Sequence, residues 1–144
     1  MDKNEFLDLL NEVNALPYGR NTDRANFRLV EFEKMGTCST KHAFLKFMAK
    51  ENRVEGVDLV LCLFKMNARN TPPLSHFLKE KKLDYIPEAH CFIRIEEMNY
   101  DISFPNSQEL KIEGDLIESQ IIEPYQIADY KLKYHKEYIA SWIN

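Results

Sequence analysis

The sequence predicts an α+β fold: N-terminal helices, a central helix that begins at a cysteine and packs on a mostly antiparallel β-sheet, and a closing C-terminal helix. Three observations predict it. Apolar residues recur at helical spacing over residues 3–14 and again from Cys38 to Glu51; three short apolar runs between Val57 and Phe104 have strand character; and Gln126 to Ile143 returns to helical spacing. Helices that precede a run of strands are expected to cover one sheet face, because an apolar face is stable only when another layer buries it.

In the first helix Phe6, Leu7, Leu9, Leu10 and Val13 form one stripe, and Leu16-Pro17-Tyr18-Gly19 turns the chain after Asn14. Residues 20–28 are polar without a steady period and read as a loop, while Leu29–Phe32 is too short to separate strand from helix. Gly36 then breaks the chain, Thr37 offers a side-chain cap, and Ala43, Phe44, Phe47 and Met48 repeat as a buried helical face. Val57–Phe64 (VDLVLCLF) carries one charge, the pattern of a strand buried on both faces. Asn67–Pro73 is loop chemistry, Leu74–Lys82 a short surface helix, and Tyr85-Ile86-Pro87 a turn or extended entry. Ala89–Ile95 reads as a strand, Glu96–Asn99 as a hairpin-like connection, and Tyr100–Phe104 as the antiparallel neighbour closed by Pro105. Leu110–Ile122 supplies one or two edge strands, and Tyr130, Tyr134, Tyr138 and Trp142 give the last helix an aromatic stripe to pack on the sheet. With no internal repeat or linker, one domain over residues 1–144 is expected.

Composition narrows the function. Nineteen Lys and Arg against 23 Asp and Glu give a net charge of -4 and a pI near 5.6, without the basic field that nucleic-acid binding uses. No apolar run approaches the ~20 residues of a membrane helix, and the acidic, amphipathic start MDKNEFLDLL is unlike a secretory signal. Cys38, Cys62 and Cys91 are odd in number and far apart, which suits a reducing compartment, so a cytoplasmic protein is expected.

A thiol becomes a nucleophile when its thiolate is stabilised, and the first turn of a helix does this with unpaired N–H groups and the positive end of the helix dipole. Cys38 has that position, Gly36 lets a substrate approach the backbone, and the Cys38 N–H with a neighbour can form an oxyanion hole. The thiol also needs a base, and the base needs a group that fixes its tautomer. His90 and Asp101 lie on adjacent predicted strands joined by a short turn, which can set them side by side.

Gly36-Thr37-Cys38-Ser39-Thr40-Lys41-His42-Ala43, then Glu88-Ala89-His90-Cys91-Phe92-Ile93, then Asn99-Tyr100-Asp101-Ile102-Ser103, resembles the Gly-x-Cys helix start, His-bearing strand and Asp-bearing strand of the transglutaminase-like superfamily, a group with the papain-like cysteine proteinase fold. The likeness spans Gly36 to Phe104, roughly half the chain. It implies Cys38 as nucleophile, His90 as general base then acid, Asp101 as orienting carboxylate, and a thioester acyl-enzyme formed from an amide or ester and resolved by water or an amine. Cys91 after the histidine and Asp101-Ile102-Ser103 in place of an Asp-Pro-Thr ending depart from the family pattern. The Arg-Gly-Gly-x-Cys lead-in of the arylamine acetyltransferases is absent.

Tyr18, Gly19, Arg20, Gly36, Thr37 and Glu88 are candidates for lining the substrate cleft, and loops 17–23 and 67–73 for selecting the substrate. A peptide, protein or small amide is the expected partner, with no nucleic acid, membrane, metal or cofactor. Cys62 belongs to a buried strand, and Cys91, next to His90, points to the opposite face. A zinc site on Cys38, His42 and His90 is disfavoured, since neither Cys-x-x-Cys nor His-Glu-x-x-His spacing occurs; His42 is expected to bond within the helix layer, and His76 and His135 to be solvated. The alternative is a noncatalytic module that binds a peptide or partner in the same groove.

Overall fold

A computed structural model describes all 144 residues. Five helices surround one four-stranded antiparallel sheet of order β3-β2-β1-β4. Helix α1 (Lys3–Asn14) is capped by Asp2, whose side chain accepts the Glu5 N–H, and Phe6, Leu10 and Val13 form its buried stripe. Leu29–Glu33 forms the short helix α2, settling an apolar stretch that suited either state. Helix α3 spans Cys38–Glu51, and Phe44, Leu45 and Ala49 close over Val57, Ile93 and Ile95 of the sheet together with the α1 stripe.

Strand β1 (Val57–Met66) is the centre of the sheet and is buried on both faces, as its apolar run predicts. Leu59, Leu61 and Leu63 face the helix layer with Ala43 and Cys91; Val60 and Cys62 face the opposite side with Phe92 and Leu110. A single turn of 3-10 helix (Pro72–Leu74) leads into helix α4 (Ser75–Lys81). Strand β2 (Ile86–Ile95) pairs with β1 along its whole length, so Tyr85-Ile86-Pro87 is the entry of a strand rather than a turn.

The predicted strand Tyr100–Phe104 is displaced. Glu96 and Glu97 both take positive φ, 48° and 75°, as a two-residue hairpin turn requires, so strand β3 runs over only Met98–Tyr100 and pairs with Ile93–Ile95. Beyond it the helix layer captures the chain. Asp101 donates its N–H to Gln108 O, Lys41 Nζ donates to Ser103 O at 2.8 Å, and Asn14 Nδ2 donates to Phe104 O and Ser107 O. Asp101 therefore sits on a loop just past the strand. The level of β2 that holds His90 and Cys91 has no β3 residue beside it.

Leu110–Ile122 resolves into a 3-10 turn (Glu113–Asp115) and one edge strand, β4 (Leu116–Ile122), beside β1. Helix α5 (Asp129–Trp142) follows another 3-10 turn (Pro124–Gln126) and lies across β4 and β2. Tyr130 and Tyr134 donate hydroxyl hydrogen bonds to Gln120 and Glu118, and Trp142 packs against Tyr85. The aromatic stripe is thus a helix-on-sheet contact. No helix is long and apolar enough to cross a membrane.

Candidate active site

Cys38 is the first residue of α3, and the sequence around it fixes that start. Thr37 and Thr40 form a reciprocal cap: the Thr40 N–H donates to the Thr37 hydroxyl at 3.3 Å and the Thr37 N–H donates to the Thr40 hydroxyl at 2.9 Å. Lys41 N–H donates to Thr37 O, which leaves the Cys38 and Ser39 N–H groups without a protein acceptor at the positive end of the helix. Gly36 is demanded by space, because a Cβ there would come within 2.9 Å of Lys41 Cγ and Thr40 Oγ1. Its backbone pairs with the loop before α2: Gly19 N–H donates to Gly36 O at 3.0 Å and Gly36 N–H to Pro17 O at 3.3 Å. Tyr18 is thereby held beside the first turn of α3, stacked on Phe104 at a centroid distance of 4.6 Å.

His90 Nε2 lies 2.8 Å from Asp101 Oδ2, and Asp101 Oδ1 accepts hydrogen bonds from the Ser103 N–H and hydroxyl. Phe64 meets the imidazole edge-on. Burial alone would raise the Cys38 thiol, but the charges of His90 and Lys131 outweigh it and bring the thiol down to about 5. Burial alone would lower His90; the Cys38 thiolate and the hydrogen bond to Asp101 outweigh that and raise it to about 10. Asp101 follows the same logic, since burial is overridden by its bond to His90 and its carboxyl stays far below the ordinary range. All three shifts favour the charged forms: thiolate, imidazolium and carboxylate.

Lys131, on the first turn of α5, carries no signal of a site role in the sequence. Its Nζ donates to Ser39 Oγ at 2.7 Å and lies 3.7 Å from Cys38 Sγ. Burial opposes its charge, but the neighbouring Cys38 thiolate more than compensates and raises it, so the ammonium is retained. Only the docking of α5 over α3 brings the two residues together, across 93 positions of chain.

The other cysteines have neither setting. Burial pushes Cys62 far above an ordinary thiol, and burial raises Cys91 to about 11. Cys91 faces the helix layer, where Ser39 Oγ donates to its sulfur at 3.8 Å. His42, fully buried, has both ring nitrogens occupied: Nδ1 is 2.6 Å from Cys38 O, and Nε2 accepts the Ile102 N–H at 2.9 Å. That pattern fixes a neutral imidazole, and burial lowers it to about 4. No group of three His, Cys, Asp or Glu is arranged to hold a metal ion.

A cavity of about 290 Å³ opens beside Cys38. Of the candidate cleft residues, Tyr18, Arg20, Thr37 and Glu88 line it; Gly19 and Gly36 do not, and are joined backbone to backbone. Arg24, Asn21 and Lys131 line it as well. Glu88 Oε1 lies 3.6 Å from His135 Nδ1 and accepts the Ala89 N–H. His135 is not solvated: its Nε2 lies 2.9 Å from Pro87 O at the cavity wall, because α5 packs on β2. His76, by contrast, is exposed beside Glu80. Loop 67–73 takes no part, since Arg69 and Asn70 bind Asp115 and none of its residues reaches the cavity.

No protein-family model matches the chain, nor does any curated protein or solved structure. Fold and site stand on their own geometry: a cysteine at a helix start, a histidine on the adjoining strand, a carboxylate on the loop that follows, and a lysine from the last helix.

Proposed function

We propose that the chain is a small transglutaminase-like cysteine enzyme, a hydrolase or acyltransferase of amide or related acyl bonds that works through a thioester on Cys38. The observation that carries the reading is the alignment of His90: one ring nitrogen bonds the Asp101 carboxylate at 2.8 Å, leaving the other for a thiol that His90 and Lys131 hold as thiolate. A cytoplasmic, reducing setting fits three unpaired cysteines, one of which must stay free to react.

In this reading the Cys38 thiolate attacks the carbonyl carbon and the π electrons move to oxygen. The free N–H groups of Cys38 and Ser39 receive the oxyanion. As the intermediate collapses, the C–N bond breaks and the His90 imidazolium gives the Nδ1 proton to the departing nitrogen. Neutral His90 then takes a proton from water, or from an acceptor amine, as that nucleophile attacks the thioester. Cys38 leaves as thiolate and the imidazolium is restored. Asp101 keeps Nε2 protonated throughout, and so keeps Nδ1 toward the sulfur.

Turnover of a panel of p-nitrophenyl esters and peptide amides by wild type and Cys38→Ala tests this, with the acyl-enzyme trapped by acid quench and read by intact mass. An acyl adduct on Cys38 that is absent from the variant is expected. A chain that binds peptides equally well with Cys38→Ala and never forms an adduct is a binding module instead.

A further inference from the structure

We propose that the cavity beside Cys38 takes a carboxylate-bearing amide, with Arg20, Arg24 and Lys131 holding the carboxylate while the thiolate attacks the amide carbonyl; this rests on Cys38 being the nucleophile. The chain carries a net charge of -4, yet three permanent cations converge on this one cavity. Its one acidic side chain, Glu88, is already engaged by the Ala89 N–H and faces His135. Arg20 and Arg24 lie on the exposed loop at the mouth, and neither makes an ion pair or a side-chain hydrogen bond within the chain. Two guanidiniums at a concave surface without counter-charges favour an anionic ligand, and a guanidinium matches a carboxylate with two parallel hydrogen bonds.

Lys131 gives the second line of support. In the resting site the Cys38 thiolate sits 3.7 Å from its ammonium, and the only other group that Nζ engages is the neutral Ser39 hydroxyl. Acylation turns that thiolate into a neutral thioester, and His90 has by then given its proton to the leaving group. The half-buried ammonium, with only the weaker pull of Glu88 left, lacks a close counter-charge at the stage where the intermediate must persist. A carboxylate brought by the substrate supplies it.

Asn21 adds an independent observation. Its Nδ2 is committed to Glu33 Oε1 and Met35 O, both at 3.0 Å, which fixes the amide orientation. That Oδ1 is the one buried side-chain polar atom without a hydrogen-bond partner. Asn21 lines the cavity, with Oδ1 itself closed off from solvent, so an unmet acceptor lies in the wall of the site beside the donors for a carboxylate. An amide with a carboxylate a few bonds away is the chemistry of N-acylated amino acids and of peptide C-termini.

Two alkylating probes of the same length separate the charge from the reactivity: N-iodoacetylglycine, with a carboxylate, and N-iodoacetylglycinamide, without one. Second-order rates of adduct formation at Cys38 are measured by intact mass and peptide mapping. The wild type is expected to react about tenfold faster with the carboxylate probe, the size of one charge-assisted contact. In the Arg20→Gln/Arg24→Gln chain, altered only at exposed loop positions, the ratio of the two rates is expected to fall toward one, and about 0.5 M salt should reduce it in the wild type. A wild-type ratio near one, or one that the double variant leaves unchanged, overturns the carboxylate assignment and leaves Cys38 standing as the nucleophile. Labelling by both probes that does not single out Cys38 removes the nucleophile and this assignment with it.

Discussion

His42 and His90 approach the same carboxylate: His90 Nε2 lies 2.8 Å from Asp101 Oδ2, and His42 Nε2 lies 3.9 Å from Oδ1. Burial works against the charge of both. Yet His90 is raised to about 10 and His42 is lowered to about 4. The difference lies in what the rest of each ring meets. His42 spends Nε2 as an acceptor for the Ile102 N–H and Nδ1 on Cys38 O, so the pull of the Asp101 charge does not offset the cost of burying a second proton. His90 spends Nε2 on the carboxylate itself and offers its remaining edge to a thiolate, so a second proton is stabilised from both sides. A histidine near an aspartate is therefore not a base by proximity; its tautomer and its second partner decide. His42 locks the Asp101 loop to α3, and His90 keeps the free edge that the proposed proton transfers would use.

The comparison breaks first at His90. His90→Gln removes the imidazolium, and on the proposed reading ester turnover falls by about 10³-fold or more, while Cys38 alkylation moves toward the ordinary thiol value of about 8.5. Turnover by stopped-flow and a pH series with iodoacetamide measure the two effects together. Lys131 still faces the sulfur, so the midpoint is expected to stop short of the free-thiol value.

Asp101→Asn comes next. It keeps the shape but offers an N–H or a weaker acceptor to Nε2, so the wrong His90 tautomer is favoured and turnover drops by about 10²–10⁴-fold. The pH–rate profile sharpens this. Acylation needs the Cys38 thiolate and the His90 imidazolium, so activity in the wild type rises through about pH 5 and falls toward about pH 10. Without the carboxylate the alkaline limb is expected to move to lower pH, because His90 loses part of what raises it.

His42→Asn is the control for structure. It retains a donor near Cys38 O but loses the acceptor of the Ile102 N–H, leaving a buried donor unmatched at a cost of about 1–3 kcal/mol. Urea unfolding is expected to show the loss, with the Cys38 alkylation midpoint moving far less than in His90→Gln. A shift of equal size in both variants would erase the distinction between the two histidines. Gly36→Ala should cost a similar ~1–3 kcal/mol, because the added methyl meets Lys41, Thr40 and Val30 at 3.0 Å or closer.

What the sequence disclosed follows the range of the forces involved. Helix α3 and its start at Cys38 were legible because Gly36, Thr37 and the apolar face of Ala43 and Phe44 act within a few residues of one another. The buried strand β1 was legible from composition alone. The end of β3 was not, since it depends on Lys41 and Asn14 drawing the carbonyls of residues 102–107 away from the sheet. Nor was Lys131, one of four lysines after residue 110, distinguished only by where α5 comes to rest. His135 was misread for the same reason, as its hydrogen-bond partner Pro87 belongs to a distant strand. Cys38, His90 and Asp101 were singled out by order and spacing, whereas the charge of the cavity around them needed the fold.

Cys38 holds the account together, and its pH-dependent labelling tests it most directly. Wild-type protein is treated with iodoacetamide across about pH 4–10, and each cysteine is quantified by intact mass and peptide mapping. A single adduct on Cys38 with a midpoint near 5, while Cys62 and Cys91 stay unmodified in the folded chain, is the predicted result. Equal labelling of the three cysteines, or a Cys38 midpoint at or above the ordinary value of about 8.5, would contradict it.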